Sequence, residues 1–237
     1  MNAPAHIGIV ACSAEGAALC YRTICAEGPA LLGNAHAHPE VTLHTPPLAA
    51  YVRCLEAADW DGVAALMLHS AETLAGAGAD FLICPDNTLH AALPRILARS
   101  PRPWLHIAQV VAEEAEARGL CRPAVLGTRW LVDSAVYPDA LGARGLACVR
   151  PSPTERDAVN RVIMEELVPA RPNAAGTATV LSVIARLKAE EACDGVVLGC
   201  TELPLVIDDR NSALPTLDST RLLARAALRR ARGARVP

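Results

Sequence analysis

Lysine is almost missing: Lys188 stands alone among 237 residues. It falls in a stretch of helical period, Thr179 to Glu191, whose polar residues Arg186, Lys188, Glu190 and Glu191 read as solvated. Pyridoxal phosphate is held as a lysine Schiff base, so that cofactor is set aside. Nucleotide fingerprints are missing too, with neither G-x-x-x-x-G-K-[ST] nor a G-x-G-x-x-G after a strand. The nine cysteines form no C-x-x-C pair and are odd in number, which argues against a disulfide framework and a zinc ribbon. Most of them read as small buried hydrophobes. His36-Ala37-His38 has no carboxylate or thiol at ligand spacing and reads as a loop, so no metal is expected. The formal net charge is −3 without long runs of either sign, which gives no field for nucleic acid. No apolar run approaches the roughly 18 residues of a membrane span. The opening MNAPAHIGIV lacks the charged and apolar regions of a signal peptide, and a cytoplasmic location is expected. The chemistry must come from side chains alone.

What the sequence does contain is alternation. Short apolar runs at His6–Cys12, Val41–His44, Asp80–Cys84, Trp104–Ala108, Ala124–Gly127, Leu146–Val149, Gly195–Leu198 and Leu214–Leu217 read as buried strands. Helical period predicts helices over Ala14–Ala26, Gly62–Ala77, Leu89–Ala98, Val110–Arg118, Arg129–Ala143, Thr154–Leu167, Ala178–Glu191 and Ser219–Arg232. Parallel strands need helical crossovers, so the expected class is α/β with parallel sheets covered by helices on both faces.

An internal repeat underlies the alternation. Asp80-Phe-Leu-Ile-Cys-Pro-Asp86-Asn-Thr and Asp194-Gly-Val-Val-Leu-Gly-Cys200-Thr-Glu both run from an aspartate through a core strand to a polar cluster, at an offset of 114 residues. Ile7–Ser13 and Ala124–Arg129 match more loosely. Two pseudo-symmetric α/β lobes facing each other would explain both pairs. The expected lobes are 1–102 and 103–217, parted at Ser100-Pro-Arg-Pro103, with a final helix at about 218–233 returning to the first.

In open α/β sheets ligands bind beyond the carboxyl ends of the strands. Four polar clusters are expected there: Cys12-Ser13, Asp86-Asn87-Thr88, Gly127-Thr128 and Cys200-Thr201-Glu202. If the lobes are related by a pseudo-twofold, Asp86 and Cys200 approach one substrate from opposite sides. Two proton-transfer groups on opposite faces of a carbon describe a racemase or epimerase. Asp86 would be the base and Cys200 the acid, since the free groups titrate near about 3.9 and about 8.5. Ser13, Asn87, Thr88, Thr128 and Thr201 are the expected carboxylate cradle, with Thr45 a weaker candidate and Arg129 and Arg53 on exposed helix faces. Cys200, at an expected helix start, would gain thiolate character from the helix dipole. Asp86 can also be read as a helix N-cap, Cys84 as core, His90 as structural, and Cys12 as either a reactive or a packed thiol.

Six segments carry a resemblance: Ile7-Gly-Ile-Val, His38-Pro39, Asn87-Thr88-Leu89-His90, Leu126-Gly127-Thr128, Leu198-Gly199-Cys200-Thr201-Glu202-Leu203-Pro204 and Asp218-Ser219-Thr220. Together they resemble the aspartate/glutamate racemase family over nearly the whole chain. The resemblance implies paired Rossmann-like lobes with the site between them, catalysis without a cofactor, an amino-acid or other small carboxylate substrate, and often a homodimer. Related scaffolds serve hydantoin racemases, maleate isomerases and arylmalonate decarboxylases. Family members carry a cysteine immediately before Asn-Thr, where this chain has Asp86. A single-cysteine isomerase or decarboxylase, or a non-catalytic binding protein, therefore stands beside the racemase reading.

Overall fold

The computed structural model describes residues 4–233. They divide into two compact units: one built from residues up to Ile107 together with the stretch from Thr220, the other from Ala108–Ser219.

In the first unit, strands β1 (Ile7–Val10), β2 (Val41–His44), β3 (Phe81–Ile83) and β4 (Trp104–Leu105) form a parallel sheet in the order β2-β1-β3-β4. Every residue of β1 and β3 is buried, the continuous apolar pattern of parallel strands covered on both faces. The helices are α1 (Ala14–Leu32), α2 (Leu48–Glu56) and α3 (Trp60–Gly76), each between strands. The carboxyl-terminal α9 (Ser219–Gly233) also packs here: Arg225 pairs with Glu27 of α1 at 2.8 Å, and the Arg230 guanidinium lies 5.0 Å from the centroid of Phe81.

In the second unit, β5 (Pro123–Leu126), β6 (Gly195–Leu198) and β7 (Thr216–Asp218) pair in parallel in that order. Around them run α4 (Ile107–Ala117), α5 (Arg129–Val132), α6 (Val136–Gly142), α7 (Pro153–Val162), a π-helical turn at Ile163–Leu167, and α8 (Ala174–Glu191). The core gathers Leu126, Val159, Ile163, Val180, Ile184, Leu187, Val196 and Leu203. The strand expected at Leu146–Val149 is reduced to one parallel bridge, Val149 with Ala124. It occupies beside β5 the place that β2 takes beside β1, so both units share one strand order.

The repeat has a physical basis. Asp80 accepts the His6 backbone N–H at 2.7 Å through Oδ2, and the Asp80 N–H returns to the His6 carbonyl. Asp194 accepts from Cys121 and Arg122 at 2.6 and 2.9 Å, and its own N–H returns to the Arg122 carbonyl. In each unit an aspartate thus pins the start of the central strand to its neighbour.

Helix boundaries depart from periodicity where backbone chemistry intervenes. The helix expected at Leu89–Ala98 is two 3-10 turns, Thr88–Ala91 and Leu93–Arg95, the second containing Pro94, which has no N–H to continue a ladder. Arg129–Ala143 splits into α5 and α6 around Asp133-Ser134-Ala135. The sequence reading missed α2. Only Tyr51 and Leu55 of its nine residues are buried, and Pro47 at the N-cap makes no side-chain cap, so both the periodic and the capping signals are weak.

Candidate active site

Register brings the polar clusters to strand ends. In the first unit Ile9 pairs with Ile83, so Cys12-Ser13 and Asp86-Asn87-Thr88 emerge at the same sheet edge. Asp86 is half-buried within an otherwise buried run from Phe81 to His90. Its Oδ1 accepts the Thr88 N–H at 3.1 Å, a local turn contact rather than a cap on a long helix. Cys84 is fully buried, and its thiol donates to the Asp86 carbonyl at 3.6 Å. Burial, and then the Asp86 charge, push that thiol well above its usual range and keep it protonated. Ser13 caps α1, its Oγ accepting from Gly16 at 3.2 Å.

Tyr51 is the neighbour that the sequence did not announce. Buried at the centre of α2, it has its phenol pushed far up by burial first and then by Cys84, Cys12 and Asp86. Tyr51 thus feels the charges of the Asp86 turn. A phenol so placed stays neutral at working pH.

In the second unit Leu126 pairs with Leu198 and Leu198 with Asp218, so the ends of β5, β6 and β7 lie side by side. Thr128, half-buried, opens α5 without a side-chain cap, and Cys200 follows β6 by two residues. Gly199 is required there: a Cβ would lie 2.6 Å from Leu131 Cδ2 and 2.8 Å from the Leu126 carbonyl oxygen. Cys200 is 9% exposed and its thiol donates to Glu202 Oε2 at 2.9 Å. Thr201 Oγ1 donates to the same oxygen at 2.8 Å, and Glu202 is only 3% exposed.

The expected helix start at Cys200 is a three-residue 3-10 turn, Leu203–Leu205, too short for an appreciable dipole. The thiol is set by a buried carboxylate instead. A thiol that donates to a carboxylate has a partner able to take its proton, which is how an adjacent base activates cysteine. Thr201 spends its hydroxyl proton on that carboxylate. The carboxylate of Glu202 as the thiol's partner is the second feature that sequence reading missed; the i, i+2 spacing in Cys-Thr-Glu was its only signal.

The candidates therefore fall into two groups: Ser13, Asp86, Asn87 and Thr88 in the first unit, and Thr128, Cys200 and Thr201 in the second. Asn87 and Thr88 are buried. Arg129 is exposed and pairs with Asp157 at 3.4 Å, and Thr45 donates to the Pro46 carbonyl. His38 Nδ1 hydrogen-bonds with the Pro39 carbonyl, and the His36 N–H with Asn34. Among the described residues no helix is long and apolar enough to cross a membrane.

The family model for Asp/Glu/Hydantoin racemase matches residues 9–227. The chain belongs to that family. It is 25% identical over 191 residues to the broad specificity amino-acid racemase RacX of Bacillus subtilis (strain 168), covering 81% of each chain. Among solved structures, a Yersinia pestis protein assigned only provisionally as an Asp/Glu racemase superposes with a TM-score of 0.86 at 29% identity, covering 96% of this chain and 99% of that one. An aspartate racemase homologue from Pyrococcus horikoshii OT3 gives 0.82 at 26% identity, with 96% and 99% covered. The family and the Bacillus subtilis relative are racemases, which places this family member among the isomerases.

Proposed function

We propose that this chain racemises or epimerises an amino acid without a cofactor, Asp86 and Cys200 exchanging the α-proton from opposite faces. The observation that carries the reading is the Cys200 thiol donating to the buried carboxylate of Glu202 at a strand end of a family member. Asp86 removes the α-proton as a carboxylate. The charge that develops on the substrate carboxylate is met by donors from Ser13, Asn87, Thr88, Thr128 and the Thr201 backbone. Cys200 delivers a proton to the other face; in the reverse direction Glu202 takes the thiol proton, the thiolate removes the α-proton, and Asp86, which enters that half-cycle protonated, delivers its proton to the opposite face. The amino-acid substrate follows from the family and from the broad-specificity relative, and we place the enzyme in the cytoplasm as a homodimer.

A second reading draws on the Thr88 N–H that Asp86 Oδ1 accepts. Here Asp86 only binds substrate, and Cys200 alone serves an isomerase or decarboxylase acting on a small carboxylic acid. Deuterium incorporation at the α-carbon of a panel of D- and L-amino acids, read by NMR or mass spectrometry, separates the two. Incorporation into both enantiomers supports racemisation. Turnover of an unsaturated diacid or a substituted malonate, with no amino-acid exchange, supports the second reading.

A further inference from the structure

His90 is buried to 1% exposure two residues beyond Thr88, and neither reading above uses it. Its Nε2 lies 3.0 Å from the Cys84 carbonyl oxygen, and its Nδ1 is buried with no hydrogen-bond partner. The His106 ring meets it edge-on, with centroids 4.5 Å apart, and His106 Nδ1 is likewise unpartnered. Burial, and then His106, push His90 down to about 3, so it is neutral and carries a single N–H. A carbonyl only accepts, which fixes that proton on Nε2 and leaves Nδ1 as a buried lone pair. A position chosen for packing alone would carry an aliphatic side chain, as Leu89 and Leu93 do on either side. An imidazole kept there with one nitrogen unsatisfied points to work done by the other nitrogen.

The work lies in the turn. His90 Nε2–H holds the Cys84 carbonyl, the Cys84 thiol holds the Asp86 carbonyl at 3.6 Å, and the Thr88 N–H holds Asp86 Oδ1 at 3.1 Å. We propose that His90 is a positioning residue for Asp86, clamping the Cys84-Pro85-Asp86 turn so that the carboxylate keeps one direction. The proposal rests on the reading of Asp86 as an acid/base.

The test compares wild type, His90→Leu, which removes the N–H, and His90→Gln, whose amide nitrogen reaches the place of Nε2. Asp86→Asn first identifies which enantiomer loses α-deuterium washout when the Asp86 face is disabled. In His90→Leu, washout from that enantiomer falls tenfold or more, in line with the roughly hundredfold cost of an ångström's misplacement. Washout from the other enantiomer stays within about threefold, and His90→Gln restores the first. Equal loss from both enantiomers, or no loss from either, in a folded variant overturns the proposal. Hydrogen exchange at the Thr88 amide supplies an independent readout: protection falls in His90→Leu and returns in His90→Gln. If wild type exchanges no α-proton, the racemase reading falls, and Thr88 protection unchanged in His90→Leu overturns the clamp by itself. Should His90→Leu fail to fold, His90→Met carries the same comparison.

Discussion

Replacing Glu202 by Gln separates the chemistry of the Cys200 pair from its architecture. Two donors converge on Glu202 Oε2, the Cys200 thiol at 2.9 Å and the Thr201 hydroxyl at 2.8 Å. A glutamine side chain keeps an oxygen that accepts both. Hydrogen bonds to a charged acceptor contribute about 1.5–3 kcal/mol against about 0.5–1.5 for a neutral one, so two weakened bonds cost about 2–3 kcal/mol. Relief from burying a carboxylate offsets part of this, leaving a net loss of about 2 kcal/mol or less. At about 2–4 °C per kcal/mol for a chain of this size, Tm falls by no more than about 8 °C. The kinetic effect is larger. A positioned acid/base is worth about 10²–10⁴ in rate, or about 2.7–5.4 kcal/mol of barrier, and glutamine cannot take the thiol proton. In deuterated water, washout from the enantiomer that faces Cys200 should therefore fall at least a hundredfold in Glu202→Gln, at a temperature well below its melt. Washout within threefold of wild type, in a variant that melts cooperatively, refutes the view that Glu202 exchanges protons with the thiol.

Other perturbations test neighbouring parts of the argument. Asp86→Asn keeps an oxygen for the Thr88 N–H and should abolish exchange on its own face by a factor of about 10²–10⁴ while Tm moves little. Unchanged exchange would reduce Asp86 to a binding or turn-forming group. Cys84→Ala deletes a fully buried sulfur together with its hydrogen bond to the Asp86 carbonyl, and should lower stability by about 1–2 kcal/mol in urea unfolding and slow exchange on the Asp86 face more than on the other. In Gly199→Ala the new Cβ meets the Leu126 carbonyl oxygen at 2.8 Å, so backbone must shift and activity should fall more steeply than Tm, as paired kinetics and melts would show. His90, pushed down to about 3, stays neutral when folded but takes a proton when unfolded below its usual 6.5. Between pH 6.5 and 3 the unfolded state binds more protons, so stability is complete above that window and declines as pH falls through it, by at most about 1.4 kcal/mol per pH unit from this residue. His90→Leu should flatten that slope in melts run across the window.

The sequence by itself determined the class of the fold and the places where chemistry collects. Buried runs such as Ile7–Val10, Phe81–Ile83 and Gly195–Leu198 are apolar on both faces, and apolar continuity over four residues or fewer between helices suits a parallel strand. The Asp80 and Asp194 repeat was legible because both aspartates perform one local task, accepting backbone N–H groups where a neighbouring strand begins. Cys200-Thr201-Glu202 and Asn87-Thr88 stood out because polar residues directly after buried strands need hydrogen-bond partners that apolar packing does not supply. What remained hidden depended on residues distant in sequence. Tyr51 comes within electrostatic reach of Asp86 only because the weakly signalled α2 packs against α3, and 35 positions separate the two. His90 meets His106 across the two 3-10 turns and β4. The partner of the Cys200 thiol was two residues away, yet a chain of given spacing can turn a carboxylate toward water or inward. Only the burial of Leu203 in the core, which draws Glu202 in with it, decides that Glu202 points at the sulfur, because a carboxylate taken from water keeps its charge tolerable by collecting the nearest donors.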